Sequence, residues 1–157
     1  SRFGSIREKS LRKNNFMLLP KKVKFRKWHT ARENPAKIGN ETRGTRVSFG
    51  SLGLKAISAG RIRSQEIEAA RKTIAHSLGK TGKLWTRIFP DRPYTQKPAE
   101  VKMGKGKGDP QGYEAVIRPG RVLFEIDGVS EAEGREALRK GGTKVQVHTK
   151  IVTRNIV

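Results

Sequence analysis

Cysteine is absent from the sequence, which removes disulfides, thiolate metal sites and cysteine nucleophiles together. The three histidines, His29, His76 and His148, share no metal-ligand spacing such as H-x-x-x-H, so a structural zinc site is excluded. Acidic side chains are scarce: 14 Asp and Glu stand against 35 Lys and Arg, a formal charge of +21 on 157 residues. No apolar run approaches the roughly 18 residues that a membrane-spanning helix needs. Chemistry is thin as well. Ser48 and Ser51 have no nearby His with a supporting carboxylate, and no triad, carboxylate dyad or metal cluster can be assembled. The residues therefore point away from an enzyme, and no cofactor is expected.

What is present is cationic. A charge of +21 on so small a chain repels itself when compact, and only a negative partner relieves it. Nucleic acid fits better than a membrane surface, because the basic residues fall mostly outside any helical stripe. Apolar types supply 34% of the chain, enough with the 17 glycines for a modest core, and the length suits one domain.

Charge is unevenly spread. Residues 1–63 hold 17 Lys and Arg against 3 acids, whereas residues 64–157 hold 18 against 11. The expected organisation is an N-terminal extension (1–16), a basic arm (17–44) and a folded body (45–157). The opening, Ser1-Arg2-Phe3-Gly4-Ser5-Ile6-Arg7, is similar to the remnant of an organelle transit peptide, with Met17 as a competing start.

The body reads as α+β. Residues 45–50 and 52–56 alternate as two short strands meeting at a Gly-Ser turn. Ser64 is placed as an N-cap, followed by a stripe of Ile67, Ala70, Ile74 and Leu78 that Gly79 ends. Residues 83–89 form a strand, and Pro90, Pro93 and Pro98 punctuate an irregular connection. Strands at 113–117 and 121–126 join at Arg118-Pro119-Gly120. Ser130 and Glu133 make a capping box that opens a second helix, which Gly134 weakens and Gly141-Gly142 stops, and residues 145–157 supply a closing strand.

Two clusters carry the nucleic-acid signal. In the first, Lys21, Lys22, Lys24, Arg26 and Lys27 interleave with Phe25, Trp28 and His29. Cations there can neutralise phosphate, and flat rings can stack on unpaired bases. Phe25 is the ring placed in the core if this stretch is an edge strand. The second is Lys102-Met103-Gly104-Lys105-Gly106-Lys107-Gly108, where glycines without Cβ let backbone approach a phosphate or ribose. It completes neither G-x-x-x-x-G-K-[ST] nor G-x-G-x-x-G, which demotes a nucleotide-binding enzyme. Arg32, Arg46, Lys55, Arg61, Arg63, Arg71 and Arg87 are further candidate contacts.

Longer strings are more specific. Residues 17–27 (MLLPKKVKFRK) resemble the opening of the bacterial-type large-subunit ribosomal protein sixteen family. So do residues 47–56 (VSFGSLGLKA), 67–71 (IEAAR), 87–91 (RIFPD), 103–108 (MGKGKG) and 120–129 (GRVLFEIDGV), in the family's order. The resemblance implies a hammerhead-type α+β domain with a mixed sheet and two main helices, bound to large-subunit rRNA below the central protuberance. It implies that the arm threads between rRNA segments and that loop 102–108 faces the A-site tRNA near the peptidyl-transferase region. Neighbouring large-subunit ribosomal proteins are implied as partners, and a homo-oligomer is not. The family commonly has Arg where Lys102 stands, so an Arg hydroxylation known in some members is not carried over. Residues 1–16 and the string at 19–25 favour a mitochondrial member, with a bacterial cytoplasmic one as the alternative. A non-specific architectural nucleic-acid-binding protein is the competing function.

Overall fold

In the computed structural model the described residues are 18–30, 34 and 37–154. The expectations for residues 1–16, Met17 and Arg32 lie outside them. The elements run β1 (Leu52–Ala56), β2 (Gly60–Arg63), α1 (Ser64–Leu78), β3 (Lys83–Thr86), β4 (Arg92–Gln96), β5 (Asp109–Ile117), β6 (Val122–Asp127), α2 (Glu131–Gly142) and β7 (Thr149–Thr153).

The strands form a four-stranded sheet in the order β3-β6-β1-β7 and a three-stranded sheet in the order β2-β5-β4. Every pairing is antiparallel, so the α+β class holds, whereas the expected mixed sheet is replaced by two antiparallel ones. Val122, Leu123, Phe124, Glu125 and Ile126 are all buried, which makes β6 the strand covered on both faces. Leu52, Leu54 and Ala56 of β1 join the core beneath the helices.

Helix α1 buries Ile67, Ala70, Ile74 and Leu78, the stripe read from the sequence, and Gly79 at φ 66° ends it. Each such fully buried aliphatic side chain contributes about 1.5–3 kcal/mol. Helix α2 lies against α1 and against the sheet, and its glycines make these approaches possible. A Cβ on Gly141 would collide with Cγ1 and Cδ1 of Ile74, and one on Gly134 would lie 2.7 Å from Leu52 Cδ1. Helix α2 does end at Gly142, and Gly141 in its last turn is in addition a close-packing site. Gly134 is likewise buried where helix and sheet meet, rather than a weak spot.

Other expectations change for physical reasons. Residues 45–50 form no strand, because the Ser48, Phe49 and Gly50 N–H groups all turn onto the Glu125 carboxylate. Ser64 is the first helical residue and caps nothing; Arg63 holds the N-cap position without a side-chain bond. The Ser64 hydroxyl is buried with no hydrogen-bond partner among the described residues. Ser130 does cap α2, accepting from Glu133 N–H at 3.4 Å while its hydroxyl donates to the Glu133 carboxylate at 2.8 Å. The segment read as a proline-punctuated connection contains β4, with Pro93 buried in it. Strand β3 stops at Thr86, although Arg87 N–H still donates to Leu123 O. The turn at Arg118–Arg121 forms, but it sends β5 and β6 to different sheets. β7 supplies the closing strand over Thr149–Thr153. Among the described residues no helix is long and apolar enough to cross a membrane.

Candidate nucleic-acid interface

Strand β2 is short and alternates: Ile62 is fully buried, so Arg61 and Arg63 face outward. Its register sets Arg63 opposite Glu114 of β5, and Glu114 stands opposite Arg92 of β4. A row of three charges thus crosses the small sheet, cation at each flank. The Glu114 carboxylate lies 3.4 Å from Arg61 and 3.5 Å from Arg92. One acid holds two guanidinium groups upright and leaves the face net positive.

Beside this row Tyr94 covers Gly112, where a Cβ would come within 2.9 Å of the ring. The Arg63 guanidinium stands 4.9 Å from the Tyr94 ring centroid, a cation–π distance. The outer face therefore combines fixed positive charge with a flat ring.

The basic arm docks on that face. Arg92 donates to His29 O at 3.2 Å, and Lys27 donates to Lys107 O at 3.1 Å while lying 3.5 Å from Asp109. Lys107 in turn donates to Trp28 O, and Lys97 to Gly104 O. The two sequence clusters, about 80 residues apart, are thus interlocked through each other's backbone carbonyls. A cleft of about 360 Å³ opens between Trp28, Arg61, Arg63, Arg92, Tyr94 and Lys107.

Gly104, Lys105 and Gly106 all have positive φ, at 107°, 53° and 91°, and nothing lies within 4 Å of where the two glycine Cβ atoms would sit. These glycines serve backbone conformation and exposure rather than tight packing. Lys105 in the left-handed region costs on the order of 1 kcal/mol, a form of strain that collects at functional loops. Met103 is 94% exposed at the loop's entry, and Lys102 and Gly108 are its ends, Gly108 lying against Gln96 and Lys97.

Lys21, Lys22, Lys24 and Arg26 are exposed on the arm. Phe25 is exposed too, with Lys24 Nζ 5.5 Å from its ring, so the expectation that it joins the core is overturned. Trp28 is exposed as well and lines the cleft beside the small sheet.

Other candidates lie elsewhere. Arg71 is bound in a fork to Glu68 on α1 at 2.7 and 2.8 Å. That hydrogen bond holds the Glu68 carboxyl below the usual carboxylate range and pushes the guanidinium up. Arg87 pairs with the fully buried Glu125 and lies 4.8 Å from the Phe49 ring, so its charge is spent within the fold. Arg46 and Lys55 line a separate cleft with residues of β7, the outer strand of the larger sheet. Sequence reading missed Arg92, Tyr94 and Lys97. The alternation of Arg92, Tyr94 and Gln96 is the signal that could have found them. Among the described residues no cluster of His, Asp and Glu could hold a metal ion.

The chain matches the model of the ribosomal protein L16p/L10e family over residues 20–152. It belongs to that family. It is 53% identical over 139 residues to the large ribosomal subunit protein uL16 of Thermosipho melanesiensis, covering 88% of this chain and 95% of the relative. The uL16 of Leptospira biflexa is also 53% identical, over 141 residues covering 90% of this chain and all of the relative. That of Acidiphilium cryptum is 49% identical over 138 residues, with 88% and 97% covered. These relatives are bacterial, and they lend no support to the mitochondrial expectation. The family is a structural one, and membership accounts for the lack of a catalytic constellation.

Proposed function

We propose that this protein binds large-subunit rRNA through the face built from the arm, loop 102–108 and the β2-β5-β4 sheet. As a member of the L16p/L10e family it is a structural constituent of the large ribosomal subunit and works in translation as an RNA-shaping component, not an enzyme. The observation that carries the interface reading is the interlock of Lys27, Trp28 and Lys107 over Arg61, Arg63 and Arg92. It concentrates cations, an exposed glycine backbone and two aromatic rings at one place.

In this reading residues 17–44 are the rRNA-binding arm and residues 45–157 the supporting domain. Lys21, Lys22, Lys24, Arg26, Lys27, Arg61 and Arg63 neutralise phosphates, and the strained loop reaches toward the A-site tRNA below the central protuberance. rRNA and adjoining ribosomal proteins are the partners. Of the two compartments considered, the bacterial origin of the relatives favours the bacterial cytoplasm.

The test is reconstitution. Large subunits stripped of this chain by salt should regain A-site tRNA binding when the wild-type chain is added back, and not with Lys105→Ala/Lys107→Ala. With roughly 6–10 phosphate contacts, rRNA affinity should fall about 10³–10⁵-fold between 50 and 200 mM salt. Equal affinity for arbitrary duplex DNA would instead support the architectural alternative.

A further inference from the structure

We propose that Glu114 is a specificity-determining residue of the RNA face, a carboxylate that weakens its attraction for polyanions in general and sharpens its fit to folded RNA. The inference rests on the RNA-binding reading above and concerns how that same face discriminates.

An acid in the middle of a cationic face works against binding, because it repels the groups that the face attracts. The fold nevertheless puts one there. Gly112, Glu114 and Val116 share one side of β5 by strand alternation, while Ala115 and Ile117 turn into the core. The Glu114 side chain is only 9% exposed, against 40% for Arg61. The carboxylate is thus nearly buried while a cation that it pairs with remains accessible.

Both flanking cations meet the same oxygen. Glu114 Oε1 lies 3.4 Å from Arg61 Nη1 and 3.5 Å from Arg92 Nε. Two guanidinium groups brought so near would repel each other without the anion between them. Arg92 also turns Nη2 to His29 O at 3.2 Å, which ties the arm to the same carboxylate. Arg61, on the outer strand β2, lines the cleft with Trp28 and Lys107. Arg63 is fixed by a different device. It stands directly opposite Glu114 in register, yet its guanidinium lies 4.9 Å from the Tyr94 ring, and that ring covers Gly112.

Fixing cations in advance removes the ordering entropy that long side chains otherwise lose on binding. It also fixes where phosphates must lie. A folded RNA that brings phosphate oxygens to those planar forks gains directional, charge-assisted hydrogen bonds. A featureless polyanion gains Coulomb attraction alone, and towards it the carboxylate only repels. An element that repels the wrong ligand serves specificity as well as one that attracts the right one. The exposed Lys21, Lys22 and Lys24 of the arm act in the other sense, since mobile ammonium groups attract any polyanion.

The experiment compares, at one salt concentration, the affinity of the full chain for a large-subunit rRNA transcript and for inorganic polyphosphate. Glu114→Gln should bind polyphosphate more tightly, because a negative charge is gone. It should bind the transcript about fivefold or more weakly, because Arg61 and Arg92 are no longer held. In an Arg61→Gln/Arg92→Gln chain the same change should strengthen binding of both ligands, since only the repulsion is left to remove. That reversal of sign separates positioning from packing or charge alone.

Unchanged or tighter transcript binding by Glu114→Gln in the otherwise wild-type chain overturns the inference and leaves the RNA-binding face standing. Equal weakening in both backgrounds overturns it too, as the mark of a purely structural acid. Should Glu114→Gln fail to fold, Glu114→Asp takes its place, keeping the charge and shortening the reach by a methylene. It should weaken transcript binding while polyphosphate binding stays at the wild-type level, and any other pair of results overturns the inference. Wild-type affinity for the transcript in the Arg61→Gln/Arg92→Gln chain would instead overturn the RNA-binding reading of this face, and the inference with it.

Discussion

Arg87, just past the end of β3, and Glu125 of β6, 38 residues apart in sequence, form an ion pair: Arg87 Nη1 donates to Oε1 of a Glu125 side chain that has no exposed surface. The other carboxylate oxygen accepts N–H groups from Ser48, Phe49 and Gly50 at 3.1, 2.6 and 3.0 Å. A buried charge is tolerable only when so fully bonded. Removing one partner strands the other, so Arg87→Met or Glu125→Ala should each cost on the order of 3–5 kcal/mol in urea unfolding. Arg87→Met combined with Glu125→Leu should cost clearly less than the two single changes summed. A loss below about 1 kcal/mol for either single variant would count against the pair as an anchor of the 48–50 turn.

The same carboxylate sets a pH dependence. Burial alone would raise the Glu125 pKa, but the Phe49, Gly50 and Ser48 N–H groups and the Arg87 guanidinium outweigh it and hold it below the ordinary value. The folded state therefore binds fewer protons than the unfolded one. Its contribution is fully present above the unfolded value of about 4.3 and is lost as pH falls through the lower folded value. Stability measured by urea unfolding from pH 7 down to pH 3 should decline in that acid range, and Glu125→Gln should flatten the decline. Parallel curves for the two proteins would remove Glu125 as its source.

What the sequence revealed and hid follows from the range of the interactions. The α1 stripe and the α2 capping box are local patterns, and both were legible. Strands β2 and β4 are not. One is Gly-Arg-Ile-Arg and the other contains Pro93, and each is a strand because the longer β5 lies beside it. Arg87 looked like an RNA contact because nothing near it in sequence announces Glu125. Gly141-Gly142 does end α2, but the close packing of Gly141 was hidden for the same reason: its partner, Ile74, is on another helix.

Gly141 accordingly reverses the usual propensity. Glycine inside a helix is normally worth replacing with alanine by roughly 0.5–1 kcal/mol. Here the added methyl meets Ile74, which is fully buried and cannot swing aside. Gly141→Ala should lower stability by about 1–3 kcal/mol, and Ile74→Val in the same chain should recover part of the loss. Calorimetric melting of the single and double variants decides it; a stabilised Gly141→Ala would mean that the helices part at little cost.

The two helix-start serines should behave in opposite ways. Ser130→Ala removes a cap and should cost about 0.5–2 kcal/mol. Ser64→Ala removes a buried hydroxyl that bonds to nothing among the described residues, so it should be neutral or stabilising. Equal losses in thermal melting would restore Ser64 to the capping role that its type and position suggest.

Lys105 and Lys107 sit two residues apart in one loop yet carry different duties. In the proposed RNA-binding reading both offer a charge, so either alanine substitution should weaken transcript binding and reduce the salt slope by about 0.7–0.9. Lys107 also donates to Trp28 O and accepts from Lys27, whereas no described side chain or backbone group binds the Lys105 ammonium. Lys107→Ala should therefore release the arm, seen as faster tryptic cleavage after Lys27 in the free protein. Lys105→Ala should leave that rate at the wild-type value. Acceleration by both variants would trace the effect to loop conformation rather than to the Lys107 bridge, and acceleration by neither would detach the arm from the loop altogether.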